Sequence, residues 1–272
     1  MKPKARNTSF YYSFLVLPSD QRRAIVAVWD FCRAVDDAVD EEPAGDGLPS
    51  GRAAVAFWRD EVARCFGRGQ PITIQGVQLQ PFIERFDLPR QRFEDVIDGV
   101  AMDLDHSEYE TFEDLLVYCR RVASAVGLIC IRIFGSSGPR ACEYADNLGI
   151  ALQLTNILRD IKGDLDRGRV YLPRDDLARC GVSRGDLDAG SAAVRRVVEL
   201  ECGRARDFYR RAVAARPPED RRRLVAAEIM RAVYFETLNR IERNGYDVFT
   251  ARARVPRPRQ ALIALRQWLW PA

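Results

Sequence analysis

Histidine is nearly absent from this chain of 272 residues, with His106 the only one. That excludes metal sites built on several histidines, and Asp105, His106 and Ser107 are too close in sequence to form a nucleophile, base and acid triad. Lysine is almost as scarce, at Lys2, Lys4 and Lys162 against 39 arginines. Arginine forks suit phosphate, but these are spread along the whole chain, as a codon bias of a GC-rich genome would also leave them. The near-balanced formal charge of +3 gives no support for a nucleic-acid-binding face. The seven cysteines, Cys32, Cys65, Cys119, Cys130, Cys142, Cys180 and Cys202, contain no C-x-x-C pair, and their number is odd. Neither a zinc cage nor a disulfide framework is expected, and they read as reduced, buried apolar residues of a cytoplasmic protein. Nowhere do 18 apolar residues run together, so no transmembrane helix is expected. Lys2, Lys4 and Arg6 precede the apolar 10–17 stretch, but no small-residue cleavage site follows, which argues against a secretory leader. No G-x-S-x-G, Walker A or G-x-G-x-x-G pattern occurs.

Helical periodicity is what the chain does have. Ile25, Val28, Cys32, Val35 and Val39 step by three and four, an apolar stripe on one helix face. Breaks are expected at 43–47, at 67–71 and at Pro89, which can open a helix at its first turn. Thr111 with Asp114 three residues on predicts a helix start, and 135–139 separates that helix from a long apolar run at 148–161. Further helices are predicted at about 173–179, 191–215 and 218–243. No linker or repeat marks a boundary. The reading is a single all-α domain over 1–272, with eight to ten helices.

Two acidic motifs stand out. In the first, Asp36 and Asp40 share one helix face about 5–6 Å apart, beside the apolar stripe. Their repulsion, about 3 kcal/mol at an effective dielectric of 20, calls for Arg33 or a metal ion, although a solvated acidic helix end fits the motif equally well. In the second, Gln153, Asn156, Asp160 and Asp164 step by three, four and four on a helix apolar nearly all round. They fall within about 80° of arc. Amide and carboxylate oxygens lined up inside a bundle suit a hard cation such as Mg²⁺, completed by water and phosphate; a structural polar network is the alternative. Arg33, Arg159 and Arg169 are candidates to grip remaining phosphate oxygens.

The segments 9–12, 31–40, Tyr118 with Val122, Ala123 and Gly127, and 153–160 leading into Gly168-Arg169-Val170-Tyr171-Leu172-Pro173 together resemble the squalene/phytoene synthase family, which joins two prenyl diphosphates head to head. Within it, 7–14 and 122–127 are most similar to bacterial presqualene diphosphate synthases of hopanoid biosynthesis. The resemblance implies an all-α isoprenoid-synthase bundle around a central cavity. It implies that Asp36, Asp40, Asn156, Asp160 and Asp164 carry two or three Mg²⁺ ions. It places Arg6, Asn7, Thr8, Ser9, Trp29, Arg33, Gln153, Arg159, Arg169 and Tyr234 against farnesyl diphosphate, and Tyr118 and Tyr171 near the ionising carbon, with Arg33 and Arg159 also acting on the leaving group. Phe10, Tyr11, Tyr12, Tyr118 and Phe235 are aromatic candidates for shielding an allylic cation.

Two departures from the family pattern stand out. The family's second motif usually reads Asp-Val-x-Glu-Asp, whereas Asp160-Ile161-Lys162-Gly163-Asp164 lacks one acid and adds a lysine, which bears on Asp164 as a ligand. Thr8 stands where several relatives that proceed to a hydrocarbon carry lysine. The expected reaction is therefore condensation of two farnesyl diphosphates to presqualene diphosphate and diphosphate, with no NADPH and with partner enzymes completing squalene. Squalene synthase with NADPH, and phytoene or dehydrosqualene synthase, are the alternatives on the same fold; a non-catalytic assembly or lipid-binding homologue is a distant one. The 260–270 segment, preceded by Arg252, Arg254, Arg257 and Arg259, reads either as a last helix packed on the bundle or as one lying peripherally on the inner face of the cell membrane.

Overall fold

Apolar residues spaced three and four apart fold the chain into helices throughout residues 11–40, 51–105, 108–250 and 252–270, which the computed structural model describes. In chain order these are α1 (Tyr11–Leu15), α2 (Ser19–Asp40), α3 (Gly51–Ala63), α4 (Ile74–Arg85), α5 (Arg90–Asp105), α6 (Phe112–Cys119), α7 (Ala125–Phe134), α8 (Pro139–Leu165), α9 (Arg174–Arg179), α10 (Ala192–Ala215), α11 (Val225–Arg243) and α12 (Arg257–Leu269). No strand occurs among the described residues, only one isolated parallel bridge between Glu108 and Val170. The all-α expectation holds. Two features add helices to the expected count: the short α1, and a π-helical turn at Arg120–Ser124 that divides α6 from α7.

Several boundaries follow from local chemistry. Thr111 accepts from the Asp114 amide while the Asp114 carboxylate accepts from the Thr111 amide, so the expected helix start is a reciprocal cap. Ser191 caps α10 by accepting from the Val194 amide. Pro139 occupies the first turn of α8, where its missing N–H costs nothing. Before α11, 218–220 form a 3-10 turn, so that helix starts later than its sequence pattern predicts.

Helix α8 is the axis of the bundle. It packs against α6, α7, α10 and α11, and Tyr144, Leu148, Ile150, Leu154, Ile157 and Ile161 are buried around its circumference. The π-helical turn is held between α5 and α8 by close backbone approach. A Cβ at Gly149 would stand 2.6 Å from the Ser124 Cα, and one at Gly99 would stand 2.6 Å from a Val122 side-chain carbon. Such turns recur at functional sites, and Val122 and Ala123 here face the central cavity. Phe31 meets Trp58 and Phe93 edge-on at 5.4 and 5.5 Å, anchoring α2 on α3 and α5.

Candidate active site

A cavity of about 470 Å³ runs between α2, α8 and α11 and is closed by the α6–α7 segment. The helical repeat explains its lining. On α2 the contributing residues are Trp29, Cys32, Arg33 and Asp36, and on α11 they are Ala227, Met230 and Tyr234, each set one stripe. Along α8 the lining changes character. Tyr144, Ala145, Leu148 and Leu152 give way to Gln153, Asn156, Arg159, Asp160 and Asp164. The 20 positions from Tyr144 to Asp164 span about 30 Å, so the cavity is a long slot with an apolar arm and a polar end. Val126, Cys130, Ile131 and Phe134 of α7 extend the apolar arm.

Charge at the polar end is closely matched. Asp160 accepts from Arg159 Nε at 2.9 Å and from Arg252 Nε at 2.6 Å. Burial alone would raise the Asp160 pKa, but the two guanidiniums outweigh it and hold the carboxyl below its ordinary value. Asp164 is the converse: burial, with the Asp160 charge adding to it, pushes its pKa up to about 6 against the pull of Arg167 and Arg169. Gly163 does not bend this turn away, because α8 continues to Leu165 and Asp164 stays in the lining. Arg33 pairs with Asp37 at 2.9 Å on α2.

One polar atom here lacks a partner. Asn156 Oδ1 is buried and accepts no hydrogen bond, while its Nδ2 reaches Gln153 Oε1 at 3.4 Å. A buried acceptor left open costs about 1–3 kcal/mol unless something fills it. Among the described residues no three acidic, cysteine or histidine side chains converge into a closed metal cage. An amide oxygen beside Asp160, with Asp36 and Asp164 in the same lining, is instead a partial set of hard oxygen donors. That set fits Mg²⁺, which takes one or two carboxylates and completes its octahedron with water and phosphate.

Next to this end lies a cluster of tyrosines. Tyr118 and Tyr171 stack with ring centroids 5.2 Å apart, and Tyr109 packs on both at 5.6 and 5.9 Å. Tyr171 Oη donates to Asp103 Oδ1 at 2.8 Å and Tyr118 Oη donates to Asp103 Oδ2 at 3.2 Å. Burial foremost, then the Asp103 charge, drive both phenols far above their ordinary pKa, so they keep their protons at neutral pH. Tyr118 Oη also lies 3.4 Å from Tyr171 Oη, so the two hydroxyls and Asp103 form one polar cluster at the cavity wall. The loop carrying Tyr171 is pinned by the Glu108–Val170 bridge and by the Arg174 amide, which donates to the Tyr109 carbonyl at 2.9 Å.

Of the candidate residues, Trp29, Arg33, Asp36, Tyr118, Gln153, Asn156, Arg159, Asp160, Asp164, Arg169, Tyr171 and Tyr234 all line this one cavity. Asp40 is the last residue of α2, one turn beyond Asp36, and its side chain lies outside the described residues, as do Arg6, Asn7, Thr8, Ser9 and Phe10. Phe235 is a correction. It packs edge-on against Tyr209 at 5.2 Å beneath the Arg206 guanidinium, and it is not in the cavity wall. Adjacent helical residues point about 100° apart, and Tyr234 takes the inward direction. Sequence reasoning missed Asp103, Arg167 and Arg252. Asp103 did carry a signal, because it continues the buried α5 stripe of Val96, Gly99 and Val100.

The family model for squalene/phytoene synthases matches residues 4–259. The 15-cis-phytoene synthase of Synechococcus elongatus is 38% identical over 91% of this chain and 84% of its own length. The phytoene synthase of Mycobacterium tuberculosis is 34% identical over 96% and 85%. Among solved structures, a dehydrosqualene synthase in complex with ligand superposes with a TM-score of 0.81 at 27% identity, over 96% of this chain and 91% of that one. Squalene synthase HpnC from Alicyclobacillus acidocaldarius gives 0.77 at 33%, over 88% and 89%. A slot with one arm for hydrocarbon and one end for charge is what joining two prenyl diphosphates requires, and the chain belongs to the squalene/phytoene synthase family of head-to-head prenyltransferases.

Proposed function

We propose that the chain condenses two farnesyl diphosphates to presqualene diphosphate, releasing one diphosphate, with Mg²⁺ at the Asp36, Asp40, Asn156, Asp160 and Asp164 oxygens. The observation that carries this reading is the segregated slot, in which the open Asn156 Oδ1 stands beside Asp160 at the end of a long apolar arm. Mg²⁺, when bound, supplies Lewis-acid stabilisation of the departing diphosphate. Arg33, Arg159 and Arg169 hold diphosphate oxygens through charge-assisted hydrogen bonds, with Gln153, Trp29, Tyr234 and the 6–9 segment completing the contacts.

Departure of diphosphate leaves an allylic cation on one farnesyl chain. Its C1 adds to the C2=C3 double bond of the second chain, and loss of a proton closes the cyclopropane. The apolar arm keeps water from trapping the cation as an alcohol. Tyr118 and Tyr171 line the cavity with their phenol oxygens, held in place by Asp103. The released proton can pass to a phenol oxygen as that phenol gives its own proton to Asp103. Asp103 is thus a positioning residue that also offers the nearest charged acceptor to both phenols.

The early stop is supported by Thr8, a neutral side chain that supplies no charge for a second diphosphate departure. A second reading, phytoene synthesis from geranylgeranyl diphosphate, is favoured by the names of the relatives at 34–38% identity. Product extraction separates the two. Farnesyl diphosphate with Mg²⁺ should give presqualene diphosphate, unchanged by NADPH. Preferential use of geranylgeranyl diphosphate, with phytoene extracted, would replace this reading by the second one.

A further inference from the structure

Among the described residues, exposed large apolar side chains gather in two places, and one of them carries several arginines within its own segment. Leu262, Leu265, Trp268 and Leu269 are exposed on α12, with Trp270 just beyond it. At 100° per residue the four helical positions cover about 120° of arc, and Arg266 and Arg259 occupy the next 60°. The opposite face carries the buried Ala264 and packs on α11 and α1. Between 251 and 272 there are five arginines and no acidic residue. The other group, Ile72, Ile74 and Val77, lies in a segment, 70–83, with no charged residue.

We propose that the outward face of α12 docks on an anionic phospholipid surface, with the leucines and tryptophans in the headgroup boundary and Arg259 and Arg266 against lipid phosphates. An apolar facet with tryptophan and a basic border is the pattern of helices that lie in the interface plane, and clustered arginines on such a helix select anionic lipid. No helix among the described residues is long and apolar enough to cross a membrane, so contact here is peripheral. The position also serves the cavity. Arg252, bonded to Asp160 of the cavity lining, is only five residues before Arg257 at the start of α12, a reach of at most about 17 Å. The first turn of α12 therefore starts within that reach of the polar end of the slot, on the side from which prenyl diphosphates dissolved in a bilayer would present their headgroups.

Flotation of the full chain with vesicles tests this directly. Equimolar phosphatidylcholine and phosphatidylglycerol should carry the protein up the gradient, and phosphatidylcholine alone or high salt should not. Arg259→Gln with Arg266→Gln should weaken partitioning about 30-fold, at about fivefold per arginine. Leu265→Ser with Trp268→Ser should weaken it at least about tenfold, and Ile74→Ser should leave it unchanged. Failure of the wild-type chain to bind anionic vesicles, or loss of binding only in Ile74→Ser, overturns the proposal. So does a dimer in solution that Leu265→Ser breaks, which would make the face an interface between copies. The wild-type salt dependence holds as a test even if a variant folds poorly. Diphosphate release by the arginine variant in vesicle-free solution should match wild type, which separates failure of this surface from failure of the reading of the cavity.

Discussion

Two acids, each held by two arginines, stand near opposite ends of α8 and show what separates scaffold from site. Glu228 is 2% exposed and closed on every side, accepting from Tyr144 Oη at 2.8 Å, from Arg216 at 2.8 Å and from Arg231 at 2.9 Å. Asp160 has similar partners, Arg159 and Arg252, but its side chain is 25% exposed and the Arg252 side chain 48%. One turn away, Asn156 Oδ1 has nothing to accept from. At Glu228 the polar groups satisfy one another and the node is complete. At Asp160 one guanidinium can leave and one acceptor is open, so the node is complete only with something added.

The largest expected effect breaks the open node. Asp160→Ala should lower diphosphate release about a thousandfold, the scale of losing a preorganised charge contact in a transition state, while thermal unfolding stays near wild type. Glu228→Gln should do the reverse. Leaving Arg216 and Arg231 without their counter-charge costs about 3 kcal/mol and should lower the melting temperature by about 10 °C, with turnover per folded molecule retained. A Glu228→Gln protein that melts normally but turns over slowly would erase the distinction between the two nodes.

Asp103→Asn sharpens it. An amide still accepts from one phenol but carries no charge, so kcat should fall about tenfold with KM little changed, because Asp103 acts through the tyrosines. The smallest effect concerns stability alone. Burial drives Glu201 up to about 7, and Arg204, shared with Asp176, opposes this only in part. A carboxyl whose folded pKa lies above its unfolded one stabilises the fold fully below about pH 4.3 and progressively less as pH rises through 7. Glu201→Gln should flatten the fall in melting temperature between pH 5 and 7, while changing stability at pH 6 by about 1 kcal/mol or less.

How much of this was legible in the sequence depends on whether the signal is local. The α8 stripe was, because four polar residues on a greasy helix can be read from spacing alone, and so was the helix start at Thr111. The π-helical turn at Arg120–Ser124 was not, since its residues keep a helical pattern and the extra width is imposed by Gly99 and Gly149 packing against it. Asp103 continued a buried stripe, yet its role appears only when Tyr118 and Tyr171, 15 and 68 positions away, close on it. Arg252 meets Asp160 across 92 positions and has no local mark at all. Phe235 failed for the opposite reason, because an aromatic next to Tyr234 reads as equally available until the helix turns one of them outward.

The claim that the Asp160 node is built to receive metal and diphosphate is tested most directly by thermal unfolding of wild type and Asp160→Asn with Mg²⁺ and diphosphate, added singly and together. A ligand that binds only the folded state at about 100 times its Kd adds about 2.7 kcal/mol. Wild type should therefore melt several degrees higher with both additives than with either one, and Asp160→Asn should show no such joint rise. An equal joint rise in both proteins, or none in wild type, would contradict the account.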